Sequence, residues 1–359
     1  MKIIDNNGVV YESLREFARA KHVDRRFVQR QLKEKGEYVN RTRKLTAQPY
    51  LEAEIAQAPI DEEYEQWKAL KESDFCYYPI APAREFKSIR YAVALFSDLH
   101  LEETVHPDAV LGLNEYNLEI AKERVLAYFR NLVVCLQRDK VDTLYFAALG
   151  DNMSGYIHDE LAQENGLTPC EAVVEMQSLI VSGLKFIREH MPQLHIVMIC
   201  IVGNHSRTTK KLQHANGFKM SYEFIAYHNI KNMCEMLGLN IEFIIPNSEM
   251  AFVEMPDGRK FIFIHGFQLR GGGTNTVCGI YPALQRLAMK WQRTFKQDKI
   301  YLGHFHSCIS IPSATCNGSI IGFNAFALSG GFAYEEPAQM YECYDSEIGL
   351  LLTRKIYCN

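Results

Sequence analysis

The chain has 359 residues, of which 47% are hydrophobic and 23% are charged, a balance typical of a globular protein with a large core. It has no run of about 18 apolar residues that could span a membrane, and its N-terminus carries charges where a secretion signal needs an apolar segment. The formal net charge of −4 argues against a chain that binds nucleic acid as a whole.

The first 45 residues differ in charge from the rest of the chain. They contain 12 Lys and Arg against 6 Asp and Glu, whereas the remainder contains 27 against 37. After a turn signal at residues 5–8, two short amphipathic helices are predicted, with Ser13 and Asp24 as N-caps and Gly36 as a stop. Paired helices joined by a tight turn are typical of a helix-turn-helix. Residues 1–39 are therefore predicted to form a small helical module that either binds DNA or packs on the main body.

Residues 40–88 contain several prolines and mixed charges, and they are predicted to form a linker. From residue 89 the pattern changes, and apolar strand-like runs alternate with helical ones. Strands are predicted at 91–98, 143–151, 195–205, 260–267 and 299–304, and helices at 118–138, 170–190, 219–237 and 282–296. This alternation predicts an α/β domain over residues 89–359. Short β-like runs in the tail, 308–357, are expected to add strands that close a sheet.

Each of the five predicted strands ends in side chains that could bind a metal ion. They are Asp98 and His100, then Asp151, then Asn204 and His205, then His265, and finally His304 and His306. Taken alone, the last two histidines fit a hydrogen-bonded surface pair as well as a metal site. Because sites in open α/β sheets form beyond the carboxyl ends of strands, five such endings together favour a metal centre at one edge. Gly150, Gly203 and Gly303 are expected to allow tight turns there.

These endings form the blocks D-x-H, G-D, G-N-H, a single H and G-H-x-H, in that order. The sequence in this way resembles the calcineurin-like metallophosphoesterase superfamily over about residues 90–310. The resemblance implies a two-layer β-sandwich flanked by helices and a pair of divalent metal ions. It assigns Asp98, His100, Asp151 and His306 to one ion and Asp151, Asn204, His265 and His304 to the other. Asp151 would bridge the ions, and His205 would be the catalytic histidine rather than a ligand.

The residue types suit this chemistry. Two ions about 3.5–4 Å apart can bind a phosphate and generate hydroxide at neutral pH. Mixed carboxylate, amide and imidazole ligands favour Mn²⁺, with Fe²⁺ or Zn²⁺ as alternatives, over Mg²⁺. His205 is expected to protonate the leaving oxygen or to stabilise charge on the phosphate. Arg207 could bind a phosphate oxygen, although a solvated loop charge explains it as well.

Departures from the superfamily pattern narrow the comparison. Ser206 stands where an acidic residue usually follows G-N-H, so support for the histidine is expected from elsewhere. His100 and Ser154 replace residues characteristic of purple acid phosphatases, and the G-D block lacks the arginine of protein Ser/Thr phosphatases. Stretches such as GDNMSGYIHDEL and VGNHSRTTKK are most similar to phage or prophage metallophosphoesterases related to DNA recombination nucleases.

The sequence thus predicts a two-metal phosphoesterase, most simply a nuclease that cleaves DNA phosphodiesters with a metal-activated hydroxide assisted by His205. The acidic body argues against an extended duplex footprint, for which the basic N-terminal module could compensate. One alternative is an esterase for a small nucleotide or cyclic nucleotide. Another is a non-catalytic DNA-binding phage factor with a structural metal site, which the intact His205 disfavours. Ten cysteines, scattered singly in apolar runs, predict reduced thiols and a cytoplasmic protein with no membrane partner.

Overall fold

The computed structural model describes residues 3–4, 10–11, 88–157, 165–213, 215–269 and 279–359. The chain divides into two compact units, Met1–Arg84 and Glu85–Asn359. In the first unit, β1 (Ile3–Ile4) pairs antiparallel with β2 (Val10–Tyr11). The two helices predicted within residues 1–39 and nearly all of the predicted linker lie outside the described residues.

The second unit alternates strands and helices in the order that the sequence predicts. Its strands are β3 (Arg90–Phe96), β4 (Thr143–Ala148), β5 (His195–Cys200), β6 (Ile241–Ile244), β7 (Met250–Glu254), β8 (Lys260–Ile264), β9 (Lys299–Leu302), β10 (Ile309–Ile311), β11 (Ala314–Cys316), β12 (Ala338–Asp345) and β13 (Gly349–Tyr357). Its helices are α1 (Leu118–Asp139), α2 (Pro169–His190), α3 (Tyr222–Met236), α4 (Tyr281–Phe295) and α5 (Ala325–Ser329). The five predicted strands are all present but end earlier than predicted, because the motif residues themselves lie in the loops that follow.

The described strands of this unit form two sheets. One has the order β13-β12-β3-β4-β5-β6, and the other has the order β10-β11-β9-β8-β7. Strands β3 to β6 run parallel, as do β8 and β9, so a crossover must return the chain between each pair. Helices α1, α2, α3 and α4 lie in these crossovers. The tail does supply further strands, but β12 pairs with β3 inside the first sheet and β13 forms its edge.

Side-chain alternation along the strands builds the layers. In β3, Val93 and Leu95 enter a core between the two sheets, whereas Ala94 and Phe96 pack in a second core with α1 and α2. Helix α4 covers the outer face of the other sheet, for example with Leu284. Both faces of the central strands are buried, which explains their nearly continuous apolar sequences. The predicted fold class, an α/β protein with a two-layer β-sandwich flanked by helices, is confirmed.

A charged pair is buried between the sheets at the start of β9. Lys299 Nζ donates hydrogen bonds to both carboxylate oxygens of Glu342, at 2.7 and 2.8 Å. The hydroxyl groups of Tyr301, Tyr344 and Thr315 also donate to Glu342. Burial raises the pKa of Glu342, but Lys299 and these hydroxyl groups bring it below its usual value. The carboxylate is therefore ionised, and Lys299 is its buried counterion.

We expect Lys299→Met to lower the free energy of unfolding by about 3–5 kcal/mol, because Glu342 would become a buried charge without a counterion. Urea unfolding followed by circular dichroism measures the change. Lys185→Met is the matched control, since Lys185 is exposed and lies 3.8 Å from Glu189 on the helix surface. Equal stability of the two variants would show that the buried pair contributes nothing.

Within the described ranges, no helix is both long and apolar enough to cross a membrane. The cysteines described there all carry free thiols. Cys200, Cys234 and Cys316 are buried, as the sequence predicts, whereas Cys170 on α2 is exposed. A cytoplasmic location stays a prediction.

Candidate metal centre

The polar side chains that end the five predicted strands converge, although the strands belong to different sheets. β3, β4 and β5 lie in one sheet, and β8 and β9 lie in the other. The backbone N–H of His304 donates to both oxygens of Asp98 at 3.1 Å, and His265 Nε2 lies 2.7 Å from Asp151 Oδ2. The site therefore lies where the ends of two sheets meet, and not at the edge of a single sheet as the sequence predicted.

The first candidate ligand set, here named the Asp98 group, consists of Asp98, His100 and His306. The potential ligand atoms of these side chains lie within 4.8 Å of one another. The Nε2 atoms of His100 and His306 are 3.3 Å apart, and His306 Nε2 is 3.4 Å from Asp98 Oδ1. Three atoms that carry lone pairs thus face a common point.

The second set, here named the Asp151 group, consists of Asp151, His265 and His304, again with ligand atoms within 4.8 Å. Asp151 and His265 are almost fully buried. The ring of His304 meets that of His265 edge-on, with centroids 5.0 Å apart. Asp151 belongs by these distances to one set, so its shared role between two ions stays a proposal.

Hydrogen bonds to the other ring nitrogen orient two of the histidines. His265 Nδ1 donates to the carbonyl of Leu149 at 2.7 Å, and His100 Nδ1 lies 3.0 Å from Ser154 Oγ. A histidine held through Nδ1 presents Nε2 to the centre, which is how metal-binding histidines are usually fixed. Both partners lie in the loop that follows β4.

The carboxylates of the centre favour their ionised forms. Burial raises the pKa of Asp98, but the hydrogen bond from His306 and nearby histidine charges bring it below its usual value. Burial likewise opposes ionisation of Asp151, and the charge of His265 holds its pKa well below the usual range. Ionised carboxylates are the form that a cation requires.

The histidines divide according to their neighbours. Burial and the charge of His205 lower the pKa of His100 well below 6.5, and burial and the charge of His265 lower that of His304 to about 4. Burial also acts to lower the pKa of His265, but Asp151 outweighs it and raises that pKa to about 9. A cation bound beside Asp151 must therefore displace a proton from His265.

A buried oxygen without a hydrogen bond tests whether these residues fit a metal ion. Asn204 Oδ1 is buried and has no hydrogen-bond partner among the described residues. His265 Nε2 also makes no hydrogen bond of acceptable geometry, although Asp151 Oδ2 is close. An unsatisfied buried acceptor costs about 1–3 kcal/mol, which a cation would offset. The donor set of carboxylate, imidazole and amide oxygen fits a divalent ion.

Backbone strain is concentrated at the candidate ligand residues. Among the described non-glycine residues, those with positive φ include Asp98, His100, Asp151, His304 and His306, with values from 48° to 72°. A left-handed conformation costs such residues about 1–2 kcal/mol each. Strain of this kind persists where the surrounding structure enforces it, and it clusters at functional sites.

The motif glycines have two different roles. Gly150 adopts a φ of +89°, so the expected tight turn is present there. Gly203 and Gly303 do not have positive φ, and their lack of a side chain serves close packing instead. A Cβ atom on Gly203 would overlap Asp151 Oδ1, and one on Gly303 would lie 2.5 Å from Asp98 Oδ2. Both glycines let backbone pass directly against a candidate ligand.

His205 lies beside both sets without belonging to either. Its backbone N–H donates to Asp151 Oδ1 at 2.8 Å, and its Nδ1 donates to the carbonyl of Ser154 at 3.2 Å. Its ring stands edge-on to that of His100, with centroids 4.9 Å apart. This position agrees with a histidine that acts on a substrate, and its catalytic role stays a proposal.

Arg207 binds its own loop. Its guanidinium donates to the carbonyls of Asn204 at 2.6 Å, Thr209 at 3.1 Å and Lys210 at 3.4 Å. Neither expectation from the sequence anticipated this arrangement, in which the side chain shapes the loop that carries Asn204 and His205. A phosphate contact by Arg207 stays a prediction.

Two buried carboxylates near the centre, those of Glu102 and Glu223, were not predicted from the sequence. Glu102 accepts hydrogen bonds from the backbone N–H groups of Ser154 and Gly155, and burial raises its pKa to about 7. Glu223, at the start of α3, is 0% exposed and binds the loops after β4 and β5. Glu223 could have been recognised as buried, because it lies on the apolar face of the predicted helix 219–237.

No protein-family model matches the sequence, and no curated protein sequence matches it. The fold is similar to that of a 5'-nucleotidase from Candida albicans, with 11% identity and a TM-score of 0.35, over 77% of this chain and 53% of that one. It is also similar to the calcineurin-like phosphoesterase YfkN from Bacillus subtilis, with 10% identity and a TM-score of 0.30, over 72% of this chain and 85% of that one.

The chain thus spans about half the length of the nucleotidase that it matches. At these identities and TM-scores, the similarities carry no weight in assigning a function. The function proposed for this chain rests instead on the residues of the site.

Proposed function

We propose that the chain is a metal-dependent phosphoesterase of the calcineurin-like metallophosphoesterase superfamily. The observation that carries this proposal is the convergence of two ligand sets at one end of the sandwich. Four of the five sequence blocks supply these sets from two separate sheets, and the G-N-H block lies beside them, where the His205 backbone N–H donates to Asp151. A surface pair of histidines would explain neither the buried carboxylates nor the unsatisfied Asn204 oxygen.

In this proposal the Asp98 group would hold one divalent ion, and the Asp151 group, completed by Asn204, would hold the other. Asp151 would contribute to both. Divalent ions in such a pair neutralise the charge of a phosphate ester and make water a better nucleophile near neutral pH. Mn²⁺ suits the mixed ligands best, with Fe²⁺ and Zn²⁺ as alternatives.

The chain itself supplies the proton transfer. The Ser154 carbonyl fixes a proton on Nδ1 of His205, so Nε2 is the nitrogen that we assign to the leaving oxygen. Asp151 Oδ1 accepts the backbone N–H of the same residue and keeps it beside the ligand sets. A protonated His205 would donate to the departing oxygen as the phosphoester bond breaks.

Two substrate classes have specific support. The segment 1–45, with its excess of Lys and Arg, favours DNA phosphodiesters, because phosphate neutralisation needs cations. The acidic body favours a small nucleotide or cyclic nucleotide, which needs no extended footprint. We propose DNA as the first candidate substrate and the small nucleotide as the second. The likeness to phage nucleases rests on the sequence stretches alone.

We expect two divalent ions per chain at saturating metal, with Mn²⁺ giving the highest activity on a DNA strand and on a small activated phosphodiester. The reason is the two ligand sets, each with at least one carboxylate. Elemental analysis and a screen of metals against substrates measure both properties. A single ion per chain, or no hydrolysis with any metal, would contradict the proposal.

Removal of residues 1–45 is expected to weaken DNA binding and cleavage while leaving cleavage of a small diester unchanged. The cations involved are predicted to be Arg25, Arg26, Arg30 and Lys33, and binding through them should fall steeply with salt. Simultaneous replacement of all four residues with Gln tests these cations without removing the segment. Lys185→Gln on α2 is the control. Unchanged DNA affinity at low salt would favour the small-nucleotide substrate.

A further inference from the structure

Two loops meet beneath the candidate metal centre, and one buried carboxylate joins them. The loop after β4 carries Asp151, and the loop after β5 carries Asn204. Glu223, from the first turn of α3, binds both loops. We infer that Glu223 is a positioning residue that fixes Asn204 relative to Asp151 and so shapes the second ion's pocket, an inference that rests on the proposed function.

The hydrogen bonds of Glu223 are divided evenly between the loops. Oε1 accepts from the backbone N–H and the side-chain amide of Asn152, at 2.8 and 3.0 Å. Oε2 accepts from the backbone N–H of Gly203 at 2.7 Å and from Ser206 Oγ at 2.8 Å. Asn152 follows Asp151 directly, and Gly203 precedes Asn204 directly, so each oxygen holds the neighbour of one candidate ligand.

Every one of these partners can donate a hydrogen bond to the carboxylate. A glutamate side chain that accepts four hydrogen bonds uses the full acceptor capacity of its ionised form. Ser206 lies where the superfamily usually has an acidic residue, and Glu223 brings a carboxylate to its hydroxyl from a different element. The acidic support that the sequence led us to expect from another part of the chain is therefore supplied by Glu223, and it acts on the backbone of the loop after β5.

Glu223 is itself held on a rigid element. Its backbone N–H donates to Ser221 Oγ at 3.1 Å, which caps α3, and Ser221 Oγ lies 2.7 Å from Ser206 Oγ. Farther along α3, Tyr227 OH donates to the carbonyl of Ile201 at 3.1 Å and accepts from Asn152 at the same distance. The helix is thus fixed to both loops at two successive turns.

The loops have no room to slide past each other. A Cβ atom on Gly203 would overlap Asp151, and one on Gly150 would overlap the backbone of Gly203. A shift of either loop therefore changes the separation of Asp151 from Asn204. No described hydrogen bond joins Glu223 to the Asp98 group, and Asn204 belongs in the proposed arrangement to the second ion alone, so the second ion should be affected more than the first.

Glu223→Gln keeps the size of the side chain but replaces one acceptor oxygen with an NH₂ group. In either orientation that group faces two donors, from Asn152 or from Gly203 and Ser206. We expect the second Mn²⁺ ion to bind about 10–100-fold more weakly, which is the usual effect of losing a residue that supports metal ligands, and the first ion to change less because Asn204 is not among its ligands. Calorimetric titration of the full chain with Mn²⁺ alone measures both affinities.

Glu235→Gln is the matched control, because it makes the same change at an exposed position on α3 and should alter neither affinity. Ser206→Ala removes one donor and should weaken the second ion by a smaller factor, and it decides the question if Glu223→Gln does not fold. Unchanged affinity of the second ion, or equal weakening of both ions in a folded variant, would overturn the inference. A wild-type protein that binds none of Mn²⁺, Fe²⁺ and Zn²⁺ would instead refute the proposed function.

Discussion

Replacement of His205 with Ala is expected to slow phosphoester hydrolysis by about 10²–10⁴-fold, the usual contribution of a general acid or base. Both metal ions should stay bound, because His205 lies outside the two ligand sets. Its Nδ1 is held by the Ser154 carbonyl, so the ring is positioned by the chain and not by an ion. Steady-state kinetics and elemental analysis of the same preparation test the two statements together.

The leaving group provides a sharper test of the role of His205. A substrate with a nitrophenol leaving group needs little protonation, so His205→Ala should lose less activity on it than on DNA. His195→Ala is the control, since His195 is exposed at the start of β5. Loss of metal in His205→Ala would make the residue a ligand, and full activity on both substrates would remove it from the mechanism.

Asp151→Asn is expected to lose metal as well as activity. The side chain keeps its size, but the charge that faces His265 at 2.7 Å disappears, and in the proposed arrangement both ions depend on it. We expect kcat/KM to fall at least about 10³-fold, since the electrostatic stabilisation of the transition state would be lost with the ions. Asp151→Ala should behave in the same way.

Metal content separates this outcome from that of His205→Ala. Elemental analysis of Asp151→Asn should show fewer than two ions per chain under saturating Mn²⁺, with circular dichroism confirming that the chain is folded. Asp108→Asn is the matched control at an exposed position. Two tightly bound ions in Asp151→Asn would rule out the shared carboxylate.

Much of the fold could be predicted because its central elements carry strong local patterns. β3, β4, β5, β8 and β9 are short apolar runs followed by glycine or polar residues, and α1 to α4 show helical periodicity. β6 and β7 were not predicted. Both are short strands at sheet edges; β6 has no fully buried position, and β7 alternates buried and exposed ones. The division of the strands between two sheets depends on pairing over long distances in sequence, which no local pattern encodes.

The candidate ligands could be named because each is a distinctive residue at a strand end. Glu223 could not be assigned in this way, because two of its partners are backbone N–H groups, which leave no mark in the side-chain sequence. The same holds for Arg207, whose partners are carbonyl oxygens of its own loop. Residues that position a loop through its backbone can therefore be identified only from the folded structure.

The two ligand sets each draw side chains from both sheets of the sandwich. Asp98 and His100 follow a strand of one sheet, and His306 follows a strand of the other; Asp151 is likewise joined by His265 from the opposite sheet. An ion in either set would therefore cross-link the two layers, in addition to any part in chemistry. Binding of that kind adds about 4 kcal/mol of stability per site when free metal exceeds its Kd a thousandfold. The concentration of free metal would then determine the free energy of unfolding of the sandwich as well as the rate of catalysis.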